Sequence, residues 1–221
     1  MRTATRLALA LWLMLAWSMV RAEQINFDDV PDGTDISYHY FSSGVLIFCA
    51  GPPSVCKSFA VYGRAAEQAK SGKNVIATTK SGPPVVHGSS TGAILVVFPD
   101  KVSRVSIAAR SVPQEGAENP EDHVLIGAFD SSRRRVGDIV AGQTHNTWET
   151  LSISAPDNRI EALLLSVDES HGGNVDAQFD NLRFERVWRP LGWVPVVVVI
   201  VLLGVALAVF MNRRHPPSGA A

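Results

Sequence analysis

The chain has 221 residues, 46% of them hydrophobic, and its formal net charge is −1 at pH 7. Residues 23–189 contain all 21 acidic residues but only 15 of the 20 Lys and Arg. This central part lacks the basic excess that binding to a polyanion requires, so we expect no nucleic-acid partner.

The first 22 residues have the form of a secretory signal peptide. Arg2 and Arg6 precede an uncharged run over residues 7–20, and Val20 and Ala22 stand at positions −3 and −1 of a cleavage site. We predict cleavage after Ala22. The alternative is an uncleaved membrane anchor, for which the apolar run is short.

Residues 23–187 are predicted to form one all-β ectodomain with a sizeable core. Short runs rich in β-branched residues are separated by Gly, Pro, Asp and Asn, without helical periodicity of useful length. The runs cover residues 25–29, 44–50, 59–63, 75–79, 85–87, 93–98, 102–112, 124–129, 135–141, 148–154, 160–167 and 177–184. This pattern favours an antiparallel β-sandwich of jelly-roll type.

The first and last of these runs are natural partners that would close the sandwich side by side. In the first run Ile25, Phe27 and Asp29 share one face by strand parity. In the last run Phe179 and Phe184 have opposite parity, so a bulge near Asp180 is needed for both rings to face the core.

Asp28, Asp29 and Asp180 are therefore candidate metal ligands at this seam. Carboxylates that are partly out of water need a cation or several hydrogen-bond donors, and Ca²⁺ is the cation that suits oxygen ligands. The alternative is that these side chains cap turns by accepting hydrogen bonds from backbone N–H groups.

Aromatic residues in or near loops could form a platform for sugar rings. The candidates are Tyr38, Tyr40 and Trp148. For Trp148, which opens a predicted strand, a place in the core is the alternative.

Cys49 and Cys56 are the only cysteines, and a turn-rich segment separates them. Exported chains permit disulfides, and closing this short loop should contribute about 2.5 kcal/mol by the chain-entropy estimate. A metal-binding Cys pair is the alternative, but neither further Cys nor paired His of the usual spacing accompanies it.

No motif predicts an enzyme. Residues 88–92 match the spacing of a nucleophile elbow, but a predicted strand follows where the elbow needs a helix. The acidic stretch 168–176 and the basic triplet 133–135 are interpreted as solvated hairpin turns.

Residues 191–211 form an uncharged apolar block that is long enough to cross a bilayer as one helix. Trp188 and Trp193 flank its start as interfacial aromatics do. We therefore predict a transmembrane helix with its interfacial flank over 188–211. A short cytoplasmic tail over 212–221 would follow, with the ectodomain in the periplasm or outside the cell.

The order of motifs in the second half resembles exported bacterial proteins of the PEP-CTERM type and galactose-binding-like carbohydrate modules. The shared features are Ala128-Phe129-Asp130 before a turn, Val136-Gly137, Trp148 with Leu151-Ser152, and Phe179-Asp180-Asn181-Leu182. The sorting signal of the PEP-CTERM type has Pro-Glu-Pro before its helix, whereas this chain has Trp188-Arg189-Pro190.

The resemblance implies a jelly-roll fold and a structural Ca²⁺ near the paired terminal strands. It also implies a non-catalytic binding module of the cell envelope with carbohydrate as its ligand class. The alternative function is a structural or protein-interaction module of the envelope that takes no small ligand.

Overall fold

The computed structural model describes residues 20–51, 56, 59–80, 85–87, 93–113, 123–142, 146–155, 159–168 and 175–187. These residues belong to one compact unit, Val20–Val187. Its first strands are β1 (Val20–Ile25), β2 (Thr34–Asp35), β3 (Leu46–Ala50), β4 (Tyr62–Ala65), β5 (Asn74–Ala77), β6 (Val86–His87) and β7 (Ala93–Val102). The others are β8 (Arg104–Pro113), β9 (His123–Phe129), β10 (Val140–Gly142), β11 (Glu149–Ser154), β12 (Ile160–Asp168) and β13 (Val175–Val187), and a 3-10 helix covers Phe41–Ser43.

The strands form two antiparallel sheets. The eight-stranded sheet has the order β11-β8-β13-β5-β4-β2, with β1 and β6 also paired to β13. The five-stranded sheet has the order β10-β9-β12-β7-β3. The prediction of an all-β, two-sheet architecture is confirmed.

One hydrophobic core lies between the two sheets, and it follows from strand alternation. In β7, Ile94, Val96 and Phe98 are buried, whereas the intervening residues are half-buried. Across the core, the Phe98 ring packs on that of Phe184 in β13 with centroids 5.3 Å apart. This contact joins the two sheets.

Strand boundaries differ most from prediction at the start of the domain. The opening strand covers Val20–Ile25 rather than 25–29, because Phe27 has a φ of +62° and begins a turn. A left-handed residue breaks the alternation on which strand parity depends. The later run 135–141 is also mostly turn, since β10 begins only at Val140.

The hairpin tip predicted at the basic triplet is confirmed. The Asp130 carboxylate accepts hydrogen bonds from the backbone N–H groups of Ser132 (2.8 Å) and Arg134 (2.9 Å), which is the Asx-turn arrangement. Arg133 takes the left-handed conformation with a φ of +60°. The three arginines are exposed at this tip.

The strands on either side of the acidic stretch 168–176, β12 and β13, lie in different sheets and therefore do not form the predicted hairpin. Residues 169–174 lie outside the described residues. The elbow-like sequence at 88–92 lies outside the described residues.

Both predicted targeting segments lie outside the described residues, apart from Val20–Ala22. Val20 pairs with Val187 and Ala22 with Glu185, so β1 extends across the predicted cleavage position. Within the described part of the chain, no helix has the length and apolarity to span a bilayer. Cleavage after Ala22 and the transmembrane helix stay predictions.

The predicted disulfide is confirmed. Cys49 of β3 is bonded to Cys56, with a Cα–Cα distance of 5.5 Å. Cys49 N–H also donates to the carbonyl of Phe59 (3.0 Å). The disulfide therefore ties the segment that carries Phe59 to the edge of β3.

Replacing both cysteines, Cys49→Ser with Cys56→Ser, should lower the free energy of unfolding by about 2.5 kcal/mol, because the unfolded chain regains the freedom that the bridge removes. Urea unfolding of the purified chain under oxidising conditions measures this loss. Adding a reductant should destabilise the unsubstituted chain by a similar amount and leave the double variant unchanged. Equal stability of the two chains without reductant would contradict the prediction.

Candidate functional site

The first and last strands of the domain pair, but the opening strand does so through residues 20–25 and not through the predicted run 25–29, of which only Ile25 takes part. β1 and β13 pair antiparallel, with Ile25 opposite Leu182 and Glu23 opposite Phe184. On its other side β13 pairs with β8 along most of its length. The closing strand is therefore the centre of the eight-stranded sheet at this end of the domain.

The bulge predicted near Asp180 is present. The register of β13 against β8 shifts between Asp180 and Arg183, and Asn181 has a φ of +52°. Phe179 and Phe184, which have opposite parity, are consequently both in the core at 0% and 1% exposure. By ordinary alternation the Asp180 side chain lies on the face opposite to the Phe179 ring, and the extra residue after it separates Asp180 from the face that Leu182 and Phe184 share.

Asp180 is fully buried because a loop lies over it. Its carboxylate accepts hydrogen bonds from the backbone N–H groups of Ser71 (2.8 Å) and Asn181 (2.6 Å). Burial raises the pKa of Asp180 to about 6, and the negative charge of Asp28 adds to the effect, while the hydrogen bonds from Ser71 and Asn181 oppose it. The site thus places the buried carboxylate of Asp180 close enough to that of Asp28 for the two negative charges to repel each other.

Asp28 caps the same loop from the opening turn. Its Oδ1 accepts hydrogen bonds from the backbone N–H groups of Lys73 (2.7 Å) and Asn74 (2.9 Å). Gly72, which directly precedes Lys73, has a φ of +53°, and a Cβ there would lie 2.0 Å from Asp28 Oδ2. The contacts of Asp28 are therefore those of a side chain that caps a turn, which was the alternative to a metal ligand.

Asp29 points away from the seam, which corrects the parity argument. Its side chain is 56% exposed and lies 3.4 Å from His39 Nε2. It also accepts a hydrogen bond from the Tyr40 hydroxyl (2.5 Å). The strand that would have turned Asp29 inward has already ended at Ile25.

The structure therefore brings together two of the three predicted metal ligands, Asp28 and Asp180. Oxygen atoms of other types join them, since Ser71 Oγ lies 3.3 Å from both Asp180 oxygens and 3.1 Å from Asn181 Oδ1. Among the described residues no three His, Cys, Asp or Glu side chains gather around a possible metal position. The calcium site stays a prediction, with a donor set that differs from the one expected.

The three predicted ligand-binding aromatics occupy different environments. Tyr40 is 5% exposed, its hydroxyl bonds to Asp29, and its ring packs edge-on against Phe27. Burial, followed by the negative charge and hydrogen bond of Asp29, raises the pKa of Tyr40. In this structure Tyr40 is a core residue and its ring cannot stack on a ligand.

Tyr38 is 70% exposed and lies in an aromatic group beside β3. Its ring packs edge-on against that of Phe48 with centroids 5.5 Å apart. Phe41 and Phe59 are also exposed, at 61% and 63%. We call Tyr38, Phe41, Phe48 and Phe59 the aromatic edge.

Two backbone contacts fix the aromatic edge on β3. Ile47 N–H donates to the carbonyl of Ser37 (3.1 Å), and Cys49 N–H donates to that of Phe59 (3.0 Å). Ile47 and Cys49 are two residues apart, about 7 Å along a strand. The segments that carry Tyr38 and Phe59 are thereby held side by side on one strand edge.

Trp148 lies on the other sheet, so it cannot share a ligand platform with Tyr38. It is half-buried, and its Nε1–H donates to the carbonyl of Gln68 (2.7 Å). The guanidinium of Arg110, in β8, lies over its ring at 5.3 Å from the centroid. Burial lowers the pKa of Arg110; the sequence analysis did not single out this residue.

A separate polar cleft of about 450 Å³ lies where β1, β13 and β8 meet. Its charged lining consists of Glu23, Arg104, Arg183 and Glu185. Arg104 and Glu185 approach to 4.0 Å. Since acidic and basic groups balance here, the cleft indicates no ligand class.

No protein-family model matches the chain, and no curated protein matches it. Among solved structures, the CBM22-1 xylan-binding domain of Paenibacillus barcinonensis Xyn10C is 14% identical, with a TM-score of 0.40, covering 76% of this chain and 95% of that domain. A family 29 carbohydrate-binding module is 8% identical with a TM-score of 0.37, over 75% and 91% of the two chains. The K1 cleaved adhesin domain of Lys-gingipain from Porphyromonas gingivalis is 10% identical with a TM-score of 0.37, over 74% and 97%. Likeness at this level identifies neither a family nor a ligand for this chain.

The raised pKa of Asp180 predicts how stability depends on pH. The folded state holds the proton more tightly than the unfolded state does, so stability falls as the pH rises from about 4 to above 6. Asp180→Asn removes this titration and can still accept the Ser71 hydrogen bond. Relative to the unsubstituted chain, the variant should gain about 2 kcal/mol between pH 4 and 7.5.

Urea unfolding at a series of pH values in the presence of a chelator gives this difference. Asp29→Asn, which changes an exposed carboxylate, is the matched control and should leave the pH profile close to that of the unsubstituted chain. Parallel profiles for the Asp180→Asn and unsubstituted chains would contradict the prediction.

Proposed function

We propose that this protein is a non-catalytic, membrane-anchored binding module of the cell envelope whose ligand is a carbohydrate. The observation that carries the proposal is the aromatic edge. Three of the four described large apolar side chains with the greatest exposure belong to it: Tyr38, Phe41 and Phe59. Exposed aromatic rings offer flat apolar faces, the surface on which sugar rings stack.

The rigidity of the aromatic edge supports a role in binding. Phe48 belongs to a strand, the segments of Tyr38 and Phe59 bond to that strand, and the Cys49–Cys56 bridge ties one of them covalently. Exposed aromatic groups that are ordered before binding lose little conformational freedom when a ligand binds.

A second candidate function, an interaction module for an envelope protein, is favoured by one observation. On the side of the five-stranded sheet that faces away from the core, Phe48, Leu95 and Leu164 stand opposite one another on three neighbouring strands. All three are half-buried. An apolar row of this kind, continuous with the aromatic edge, would suit a protein surface better than a soluble sugar.

Tyr38→Ala and Phe59→Ala should each weaken glycan binding by about tenfold, because each removes one stacking face. Glycan-array screening of the purified chain identifies the ligand, and calorimetry gives the dissociation constants. Ile139→Ala is the matched control. Ile139 is also an exposed large apolar residue (47%), but it precedes β10 at the opposite edge of the same sheet.

The control should bind as the unsubstituted chain does. If no glycan binds, and Leu95→Lys abolishes capture of an envelope protein that the Tyr38→Ala chain still captures, the carbohydrate proposal fails. The interaction module then replaces it.

We also propose a structural Ca²⁺ at the seam. The donor chemistry supports it: the carboxylates of Asp28 and Asp180, the Ser71 hydroxyl and the Asn181 amide oxygen are the oxygen ligands that Ca²⁺ takes. A cation would offset the repulsion between the two carboxylates. The ion would hold the loop against β13 and has no part in ligand chemistry.

Ca²⁺ at 1 mM should stabilise the chain at pH 7 by about 1.4 kcal/mol if it binds with a dissociation constant near 0.1 mM. Thermal unfolding with and without Ca²⁺, and with equal Mg²⁺ as an ionic-strength control, measures the shift. Asp180→Asn should abolish it and Asp29→Asn should retain it. An unchanged melting temperature at millimolar Ca²⁺ would contradict the proposed Ca²⁺ site.

A further inference from the structure

Arg110 is a buried cation on the outward-facing side of the eight-stranded sheet. In β8, Val105, Ile107 and Ala109 face the core, so Arg110 has the opposite parity. It is nevertheless only 6% exposed, because residues of the loop 66–73 lie over it. A position that alternation assigns to solvent is thus enclosed.

Every described contact of this guanidinium is with a neutral group. Nε donates to Gln178 Oε1 (2.7 Å), directly across the strand pair, and Nη1 donates to Gln68 Oε1 on the loop. The Trp148 ring lies against the guanidinium on the side of β11. Amide oxygens and an aromatic face stabilise a cation, but neither neutralises its charge.

Two other shielded arginines in the described residues differ in this respect. Arg64 pairs with Asp32 at 2.8 Å, and Arg186 pairs with Asp100 at 3.5 Å. Asp176 and Asp180 lie two residues on either side of Gln178, and neither forms an ion pair with Arg110 among the described contacts. A buried cation without a counter-ion is costly, and the described residues supply none to Arg110, which makes this cation a candidate to receive an external anion.

One nitrogen of the guanidinium has no acceptor in the part of the chain that the structure describes. Nε and Nη1 donate to Gln178 and Gln68, whereas no described residue accepts a hydrogen bond from Nη2. Arg110 keeps 6% of its surface exposed. A planar guanidinium with one nitrogen still unbonded can donate from that nitrogen to a carboxylate.

We propose that Arg110 binds the carboxylate of a sugar acid, a hexuronate unit of an acidic polysaccharide. The carboxylate would accept two parallel hydrogen bonds from Nη1 and Nη2 and displace the Gln68 amide oxygen from Nη1. Gln178 would keep Nε in place, and Trp148 provides an aromatic ring beside the carboxylate for the sugar. This inference rests on the proposed carbohydrate function and assigns a site on the other sheet from the aromatic edge.

The site is ordered before the ligand binds. Nε1–H of Trp148 donates to the Gln68 carbonyl and the Gln68 side chain accepts from Arg110, so one loop residue positions both the ring and the cation. Gln68 Oε1 occupies the position that one carboxylate oxygen of the proposed ligand would take. Glutamate at this position would supply that carboxylate from within the chain and compete with the ligand.

The test measures calorimetric dissociation constants of a galacturonate trisaccharide for the purified full-length chain and its variants. Arg110→Gln removes the charge, and Gln68→Glu fills the site while leaving Arg110 in place. Both should weaken binding at least tenfold. Arg104→Gln is the matched control on the same strand and face, six residues away and in the charged cleft, and should change binding less than twofold.

Gln68→Glu guards against misfolding, because its internal ion pair should hold or raise the melting temperature while binding is lost. An uncharged galactose trisaccharide, acetate and a short peptide carboxylate are the comparison ligands, and each should bind at least tenfold more weakly than the trigalacturonate. Acetate or peptide binding as tight as that of the sugar acid would overturn the sugar assignment.

Trigalacturonate binding that is absent, or unaffected by either variant, would overturn the Arg110 site. The proposed carbohydrate function would remain supported, independently of the Arg110 site, if neutral glycans still bind and Tyr38→Ala weakens that binding.

Discussion

The arrangement of the described domain depends on one contact between a buried carboxylate and a backbone amide. Asp180 accepts a hydrogen bond from Ser71 N–H across 109 residues of sequence. The bulge in β13 that places Asp180 there also lets Phe179 and Phe184 enter the core. Because the carboxylate is fully buried, the fold needs the loop over it; without the loop's donors the charge would lack compensation.

The loop 66–73 that this contact holds determines what the outward-facing side of the eight-stranded sheet can do. Without it, Arg110 would be an ordinary solvated arginine between Gln178 and Trp148. With it, the cation is buried, and Nη2 is the nitrogen for which no described residue provides an acceptor. The aromatic edge on the five-stranded sheet is built independently, around β3 and the Cys49–Cys56 bridge. The two proposed recognition surfaces thus lie on different sheets of one core and differ in chemistry.

The sequence alone predicted those features of the fold that depend on local patterns such as strand alternation and turn residues. Alternation placed most strands of both sheets, although β1 and β10 are displaced from the predicted runs and β2 was not predicted. The opposite parity of Phe179 and Phe184 required the bulge, and Asp130 with the basic triplet marked a hairpin tip. Parity failed at Asp29 because Phe27 adopts a left-handed backbone conformation and ends the strand first. Tyr40 was expected in a loop and is buried because its hydroxyl finds an acceptor in Asp29.

Arg110 could not be identified from the sequence, since an arginine in an alternating strand normally lies on the wet face. Its burial depends on Gln68, which is 42 residues away in a loop. Long-range contacts made by irregular loops leave no periodic signal. The sequence showed that Arg110 occupies an alternating polar position on β8, but it did not show that the loop 66–73 covers this position.

The central claim is that the buried Asp180 carboxylate holds the loop 66–73 on the eight-stranded sheet. Amide hydrogen exchange at Ser71 tests it most directly, because this N–H is the donor that the carboxylate holds. The account predicts that Ser71 exchanges at least about 100-fold more slowly than an unstructured peptide and that this protection is lost when Asp180 is replaced by Ala. Exchange of Ser71 at the rate of an unstructured peptide in the unsubstituted chain would contradict it.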